Sequence, residues 1–188
     1  RAIGKLAYYC LAQAVKDLKE GNIDVLVTAP INKETIQSKN FSFMGHTDYL
    51  NENIEGSSVM MMVSNSLRVA LLTEHLSLSR VAKSITKELV ESRTKSIQKT
   101  LQLDFNISHP KIAMLSIDPH AGDNGVIGTI DNAVLAPCIS SMKTEGMLID
   151  GPFPADSFFG SMKYKEFDAV VASYHDQGLI PFKTLSFG

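Results

Sequence analysis

Three of the five histidines stand directly after short apolar runs. His75 follows Leu67–Leu72 (LRVALL), His120 follows Lys111–Ile117 (KIAMLSI), and His175 follows Asp168–Ser173 (DAVVAS). If those runs are parallel neighbouring strands, all three imidazoles lie at their C-terminal edge, where open α/β sheets bind ligands. Three neutral nitrogen donors with an open position make a catalytic divalent-metal site, for which Zn²⁺ is the plainest ion. A histidine alone in a loop is more often solvent-exposed or hydrogen-bonded, so the shared edge is what raises these three above the background. His109 precedes a run (SHPKIAML) and serves as an internal control at the opposite edge. Asp176, directly after His175, is placed to orient an imidazole.

Other residue types read more blandly. Cys10 and Cys138 fall on apolar helix faces and read as core. Met60, Met61 and Met62 read as buried strand residues. Lys33 and Lys183 fall in loops at the same edge, where a solvated lysine is the default and anion binding the alternative. Asp156 lies in a Pro/Gly-framed loop, GPFPADSFF. Gly122, Gly125 and Gly128 are spaced G-x-x-G-x-x-G, which is not the dinucleotide fingerprint and reads as a flexible polar turn. The sequence has no HExxH, no CxxC pair and no GKS/T loop.

These side chains need a scaffold, and the hydrophobic pattern supplies one. Ala7, Cys10, Leu11, Ala14, Val15 and Leu18 follow helical spacing up to Gly21. Residues 23–27 (IDVLV) read as a strand, Asn32 as the cap of a short helix, and His46 as the opening of another. Residues 58–63 and 67–72 are joined by three polar residues, too few for a parallel crossover, so they form an antiparallel hairpin. A helix follows over 79–103, a strand over 111–117, a helix over 131–144, a short strand over 147–149 and a strand over 168–173. Strands alternating with longer helices predict an α/β fold with a mixed, mostly parallel sheet flanked by helices.

Composition bounds the partners. Lys+Arg is 18 against Asp+Glu 20, a net charge of −2, which excludes a domain-wide basic field for nucleic acid. No apolar run reaches the roughly 20 residues of a membrane span. Two cysteines make no disulfide framework, so a reducing, cytoplasmic compartment fits best. The chain starts at Arg1, inside a helical pattern, and stops at Gly188, as a piece of a longer protein would.

The segments VTAPINK, GHTDYL, LRVALLTEHLSL, IDPHAGDNGVIG, DGPFPADSFF and YHDQGLIPFK together resemble the 4-hydroxythreonine-4-phosphate dehydrogenase family of vitamin B6 biosynthesis. The resemblance covers essentially the whole chain. It implies a fold similar to the isocitrate/isopropylmalate dehydrogenases, with two α/β domains, a cleft and a homodimer. It implies NAD, without the usual Rossmann fingerprint, and a divalent metal (Zn, alternatively Mg or Co). The family's metal ligands match His75, His120 and His175, the third coming from the partner subunit. Its substrate-binding His-Thr pair matches His46 and Thr47, its substrate lysine matches Lys183, and the aspartate near its reacting centre matches Asp156. Asp123-Asn124-Gly125 and Thr129-Ile130-Asp131 depart from the glycine pair and acidic residues common in relatives.

On this resemblance residues 1–188 are the central, dimer-forming α/β portion of a two-domain enzyme with part of its cleft, lacking segments at both ends. The implied reaction is NAD-dependent oxidation of 4-phosphooxy-L-threonine, and the chain alone is expected not to turn over. Two rivals remain: a sister dehydrogenase of a phosphorylated four-carbon sugar acid (4-phospho-threonate or erythronate), and a non-catalytic, metal-stabilised dimerisation module.

Overall fold

The computed structural model describes residues 2–43, 45–56 and 58–187, with the side chain of Ala2 outside that description. The helical reading at Arg1 therefore lies outside the described residues. The chain divides into two compact units, residues 1–58 and 59–188.

In the first unit α1 (Ala2–Lys19) buries Leu11 and Val15 against Ile36, Phe41 and Tyr49. Cys10 is exposed rather than core. It lies one residue, about 100° of helix rotation, from the Leu11–Val15 stripe. Gly4 lets α1 meet the next turn, since a Cβ there would lie 1.9 Å from the Thr35 carbonyl oxygen. Asn32 caps that turn, its Oδ1 accepting from the N–H groups of Glu34 and Thr35 at 3.1 and 3.0 Å, but no helix follows. Residues 23–27 are not a strand. Val25 and Val27 are exposed, and β-branched residues make a strand only where a neighbour takes their backbone groups. α2 (His46–Asn53) opens on His46 after Gly45, as its sequence predicts, and is pinned by Tyr49 stacked on Phe41 with ring centroids 5.4 Å apart.

The second unit is built on one five-stranded sheet. β1 (Met61–Val63) and β2 (Arg68–Leu71) form the expected antiparallel hairpin. Met60, Met61 and Met62 are half-buried there rather than fully buried. β3 (Ile112–Leu115), β4 (Ile149–Phe153) and β5 (Ala169–Ala172) complete the sheet in the order β1-β2-β5-β3-β4, with β2, β5, β3 and β4 parallel. β4 begins where the expected 147–149 strand ends; its Pro152, which cannot donate to a ladder, is tolerated because β4 is an edge strand.

Both sheet faces are covered, and that explains the unbroken apolar runs of β3 and β5. On one face Ala70, Ile112, Met114 and Val171 pack under α4 (Lys87–Leu103) and α5 (Ala136–Thr144). The expected single helix over 79–103 is two, α3 (Leu78–Ser84) and α4, because Thr86 starts a new helix by accepting the Leu89 N–H at 3.2 Å. Cys138 of α5 is buried here, and burial pushes its thiol pKa up.

On the other face Val69, Leu115, Val170 and Ala172 pack against Phe158 of α6 (Ala155–Gly160) and Leu179 and Phe182 of α7 (His175–Ser186). Asp156 and Lys183 therefore stand on helices, not in loops as expected. Gly178 lets α7 lie against the sheet, since a Cβ there would come within 2.7 Å of Val69 Cγ1 and 3.0 Å of Ala172 Cβ.

Candidate functional site

The parallel ends of β2, β5, β3 and β4 lie side by side, and each leads into a residue singled out from the sequence: His75, His175, His120 and Asp156. His109 precedes β3 and lies toward the opposite edge. Pairing of β2 with β5 continues past the strands. Leu72 donates to Ala172 at 2.8 Å, and the buried Thr73 donates from N and from Oγ1 to the Ser173 carbonyl, at 3.2 and 2.7 Å. The two chain segments thus leave the sheet together, and the rings of His75 and His175 stand with centroids 5.9 Å apart.

His175 Nδ1 lies 2.7 Å from Asp176 Oδ1. An ionised carboxylate only accepts, so in this contact the imidazole donates from Nδ1. This is the second partner a metal-binding histidine ordinarily has. Glu74, beside His75, is turned away from such a role. Its Oε1 accepts from Arg93 of α4 at 2.8 Å and from the Met60 N–H at 3.3 Å, and so anchors the segment that carries His75.

His120 is exposed on a left-handed turn. His120, Ala121, Gly122, Asp123 and Asn124 have φ of 54°, 53°, 77°, 44° and 54°. This conformation disfavours most L-residues by roughly 1–2 kcal/mol each. Here it is held by Gly122, whose added Cβ would lie 2.4 Å from the Gly128 carbonyl oxygen, and whose own carbonyl accepts from Ile127 at 3.1 Å. The glycine-spaced segment is a bonded, tightly wound turn rather than the expected flexible one.

Its root is held by Asp131, a buried carboxylate that opens a π-helical turn over 131–135 leading into α5. Oδ1 accepts from Ile117 N at 2.8 Å and Oδ2 from Asp118 N at 2.9 Å. Burial pushes the Asp131 carboxyl above its ordinary pKa, the two N–H donors pull it partly back, and the Asp118 charge adds to the rise. Neither Asp131 nor Gln177, described below, stood out in the sequence, because each works by bonding distant backbone.

A carboxyl whose pKa is higher folded than unfolded opposes folding once ionised. That cost is absent below the unfolded value of about 3.9 and grows as pH rises through the folded value. Asp131→Asn is therefore expected to flatten the decline of stability with pH above about 4, read as the urea midpoint against pH. Asp131→Ala abandons two donors and costs on the order of 2–4 kcal/mol at neutral pH. An unchanged pH slope in the first variant and an unshifted midpoint in the second contradict this reading.

Beside the histidines, a cleft of about 760 Å³ runs between α6, α7 and the segment after β3, lined in part by Asp118, Asp156, Phe159, Tyr174, Gln177 and Ile180. Asp156 is exposed on its wall, in the first turn of α6. Lys183 is exposed on α7, eight residues after His175, which places it ~12 Å along the axis and on a neighbouring face. His46 is half-buried and Thr47 exposed in the first turn of α2, in the other unit.

The donor set suits a divalent cation. Imidazoles just past adjacent strand ends are the kind of donor that would hold such an ion. Among the described residues no three or more His, Cys, Asp or Glu side chains of one chain gather into a metal site, so the three histidines do not converge within a single copy.

A mixed, mostly parallel sheet, helices on both faces and polar chemistry at the C-terminal strand ends define an α/β fold of the dehydrogenase-like kind. The chain belongs to the pyridoxal phosphate biosynthetic protein PdxA family, whose description matches residues 1–188. It is 45% identical over 185 residues to the 4-hydroxythreonine-4-phosphate dehydrogenase of Bacteroides thetaiotaomicron, covering 97% of this chain and 51% of that protein. The crystal structure of the Klebsiella pneumoniae 4-hydroxythreonine-4-phosphate dehydrogenase superposes with a TM-score of 0.89 at 33% identity, covering 98% of this chain and 56% of that one. The corresponding Burkholderia phymatum structure gives 0.84 at 34% identity, covering 97% and 56%. The chain thus spans about half the length of the relatives it matches. No described helix is long and apolar enough to cross a membrane.

Proposed function

We propose that this chain carries the metal-binding and part of the substrate-binding apparatus of a dehydrogenase that oxidises the C3 hydroxyl of 4-phosphooxy-L-threonine with NAD. The product is a β-keto amino acid that loses CO₂ to give 3-amino-2-oxopropyl phosphate. The observation that carries the reading is the placement of His75, His175 and His120 past three adjacent parallel strands in a chain that matches the PdxA family throughout.

Oxidation of a carbinol removes a hydride from carbon and a proton from oxygen. NAD supplies the hydride acceptor, and a divalent cation supplies the Lewis acidity that favours loss of the hydroxyl proton. His75, His120 and His175 are the residues that hold the cation, with Asp176 fixing the tautomer of His175. One of the three comes from a second copy of the chain, which makes the working unit a homodimer. Asp156, exposed on the cleft wall, takes the hydroxyl proton. Lys183 neutralises an anionic end of the phosphorylated substrate, and His46 and Thr47 bind substrate from α2. Free cysteines, one of them exposed, suit a reducing cytoplasm.

The test is NADH formation by the protein carried to the full length of its relatives, with 4-phosphooxy-L-threonine, NAD and a divalent cation, and with a chelator as control. Chelator-sensitive turnover is expected. A kcat/KM that is higher on 4-phospho-erythronate overturns the amino-acid assignment, and no turnover on either substrate overturns the dehydrogenase.

A further inference from the structure

Gln177 occupies the first turn of α7, two residues after His175. Its Oε1 accepts from the Ser173 N–H at 2.7 Å, and its Nε2 donates to the Ser116 carbonyl at 2.6 Å. Ser173 closes β5 just before His175, and Ser116 closes β3 just before the turn that carries His120. Both serines are buried, at 0% and 2% exposure, so water does not readily replace the amide.

The link has neighbours on both sides. Ser173 is tied to the β2 segment through Thr73, and Ser116 N donates to Phe153 of β4 at 2.8 Å. A ladder of polar contacts therefore runs Thr73–Ser173–Gln177–Ser116–Phe153 beneath the roots of His75, His175, His120 and Asp156. Between Ser173 and the β3 end, the only other side-chain bond among those described is the 3.5 Å contact of Ser173 Oγ with the Leu115 carbonyl.

We infer that Gln177 is a positioning residue of the metal site: it fixes the spacing of the turns that present His175 and His120. The inference rests on reading those histidines as metal ligands. An amide is needed because one end must accept and the other donate; an ionised carboxylate accepts at both. The two histidines keep their chemistry without Gln177 but lose a fixed separation, whichever copy of the chain each one serves.

The experiment is Co²⁺ titration of the purified chain, reading affinity and the visible absorption band that reports coordination geometry. Gln177→Ala is expected to weaken Co²⁺ binding by roughly 10–100-fold, the range for partners one step removed from a metal, and to alter the band. Gln177→Glu keeps the Ser173 bond but sets an acceptor against the Ser116 carbonyl, so it too should weaken Co²⁺ binding and alter the band; it decides the matter if the alanine variant does not fold. Asp168→Ala removes a comparable tie, to Lys111 N at 2.7 Å, at the opposite edge of the sheet. It should lower the melting temperature while leaving the Co²⁺ band and affinity unchanged. Wild-type band and affinity in the Gln177 variants overturn the inference and leave the metal reading standing. Failure of the wild-type chain to bind Co²⁺ overturns both.

Discussion

Replacing His75, His120 or His175 by alanine abolishes stoichiometric binding of a divalent cation, while His109→Ala leaves it intact. The three belong to one edge of the sheet and His109 to the other. Losing an outer partner of a metal ligand weakens a site by about 10–100-fold, so losing the ligand itself should exceed a hundredfold. The histidines are exposed or half-exposed, on loops or, for His175, at the first residue of α7, outside the packed strands, and substitution there leaves the core intact. Zn²⁺ or Co²⁺ titration followed by calorimetry separates the four variants, with unchanged melting temperatures as the sign of an intact fold. Wild-type affinity in any one of the three removes that residue from the set.

Lys183→Ala is expected to raise KM for the phosphorylated substrate by about 10–100-fold, the equivalent of one charge-assisted hydrogen bond of about 1.5–3 kcal/mol. Lys183 is itself exposed on α7, while Leu179 and Phe182 make the helix's contacts with the sheet core. The ammonium is therefore available to a ligand, and removing it costs little packing. The discriminating comparison is with a substrate analogue lacking the phosphate. The wild-type preference for the phosphorylated compound should shrink in the variant, and a preserved preference assigns Lys183 to the surface alone.

The parts of the fold visible in the sequence are those whose signal is local. β3 and β5 are short apolar runs because both sheet faces are covered, and the β1–β2 hairpin follows from a link too short for any crossover. Those strands fix the histidine edge, so the edge was legible too. α7 was hidden, because Gly178 and Pro181 are residues that ordinarily stop helices. Here Gly178 serves packing against Val69 and Ala172, so Lys183 moved from an expected loop to a helix face. The 23–27 run failed as a strand because β-propensity speaks of neighbours the segment does not have among the described residues. Gln177 and Asp131 were invisible for a further reason. Each bonds backbone 61 or about 14 positions away, and no periodicity records such a partner.

Subunit mixing tests most directly whether the site of three histidines is completed between two copies of the chain. His75→Ala, His120→Ala and His175→Ala chains are combined in pairs, unfolded, refolded together and titrated with Co²⁺. If one ligand comes from the partner, two of the three pairings yield mixed dimers with one intact site each, and about a quarter of the wild-type binding capacity returns. If no pairing restores binding while the wild-type chain, refolded in the same way, binds fully, the site is not shared and the account is contradicted.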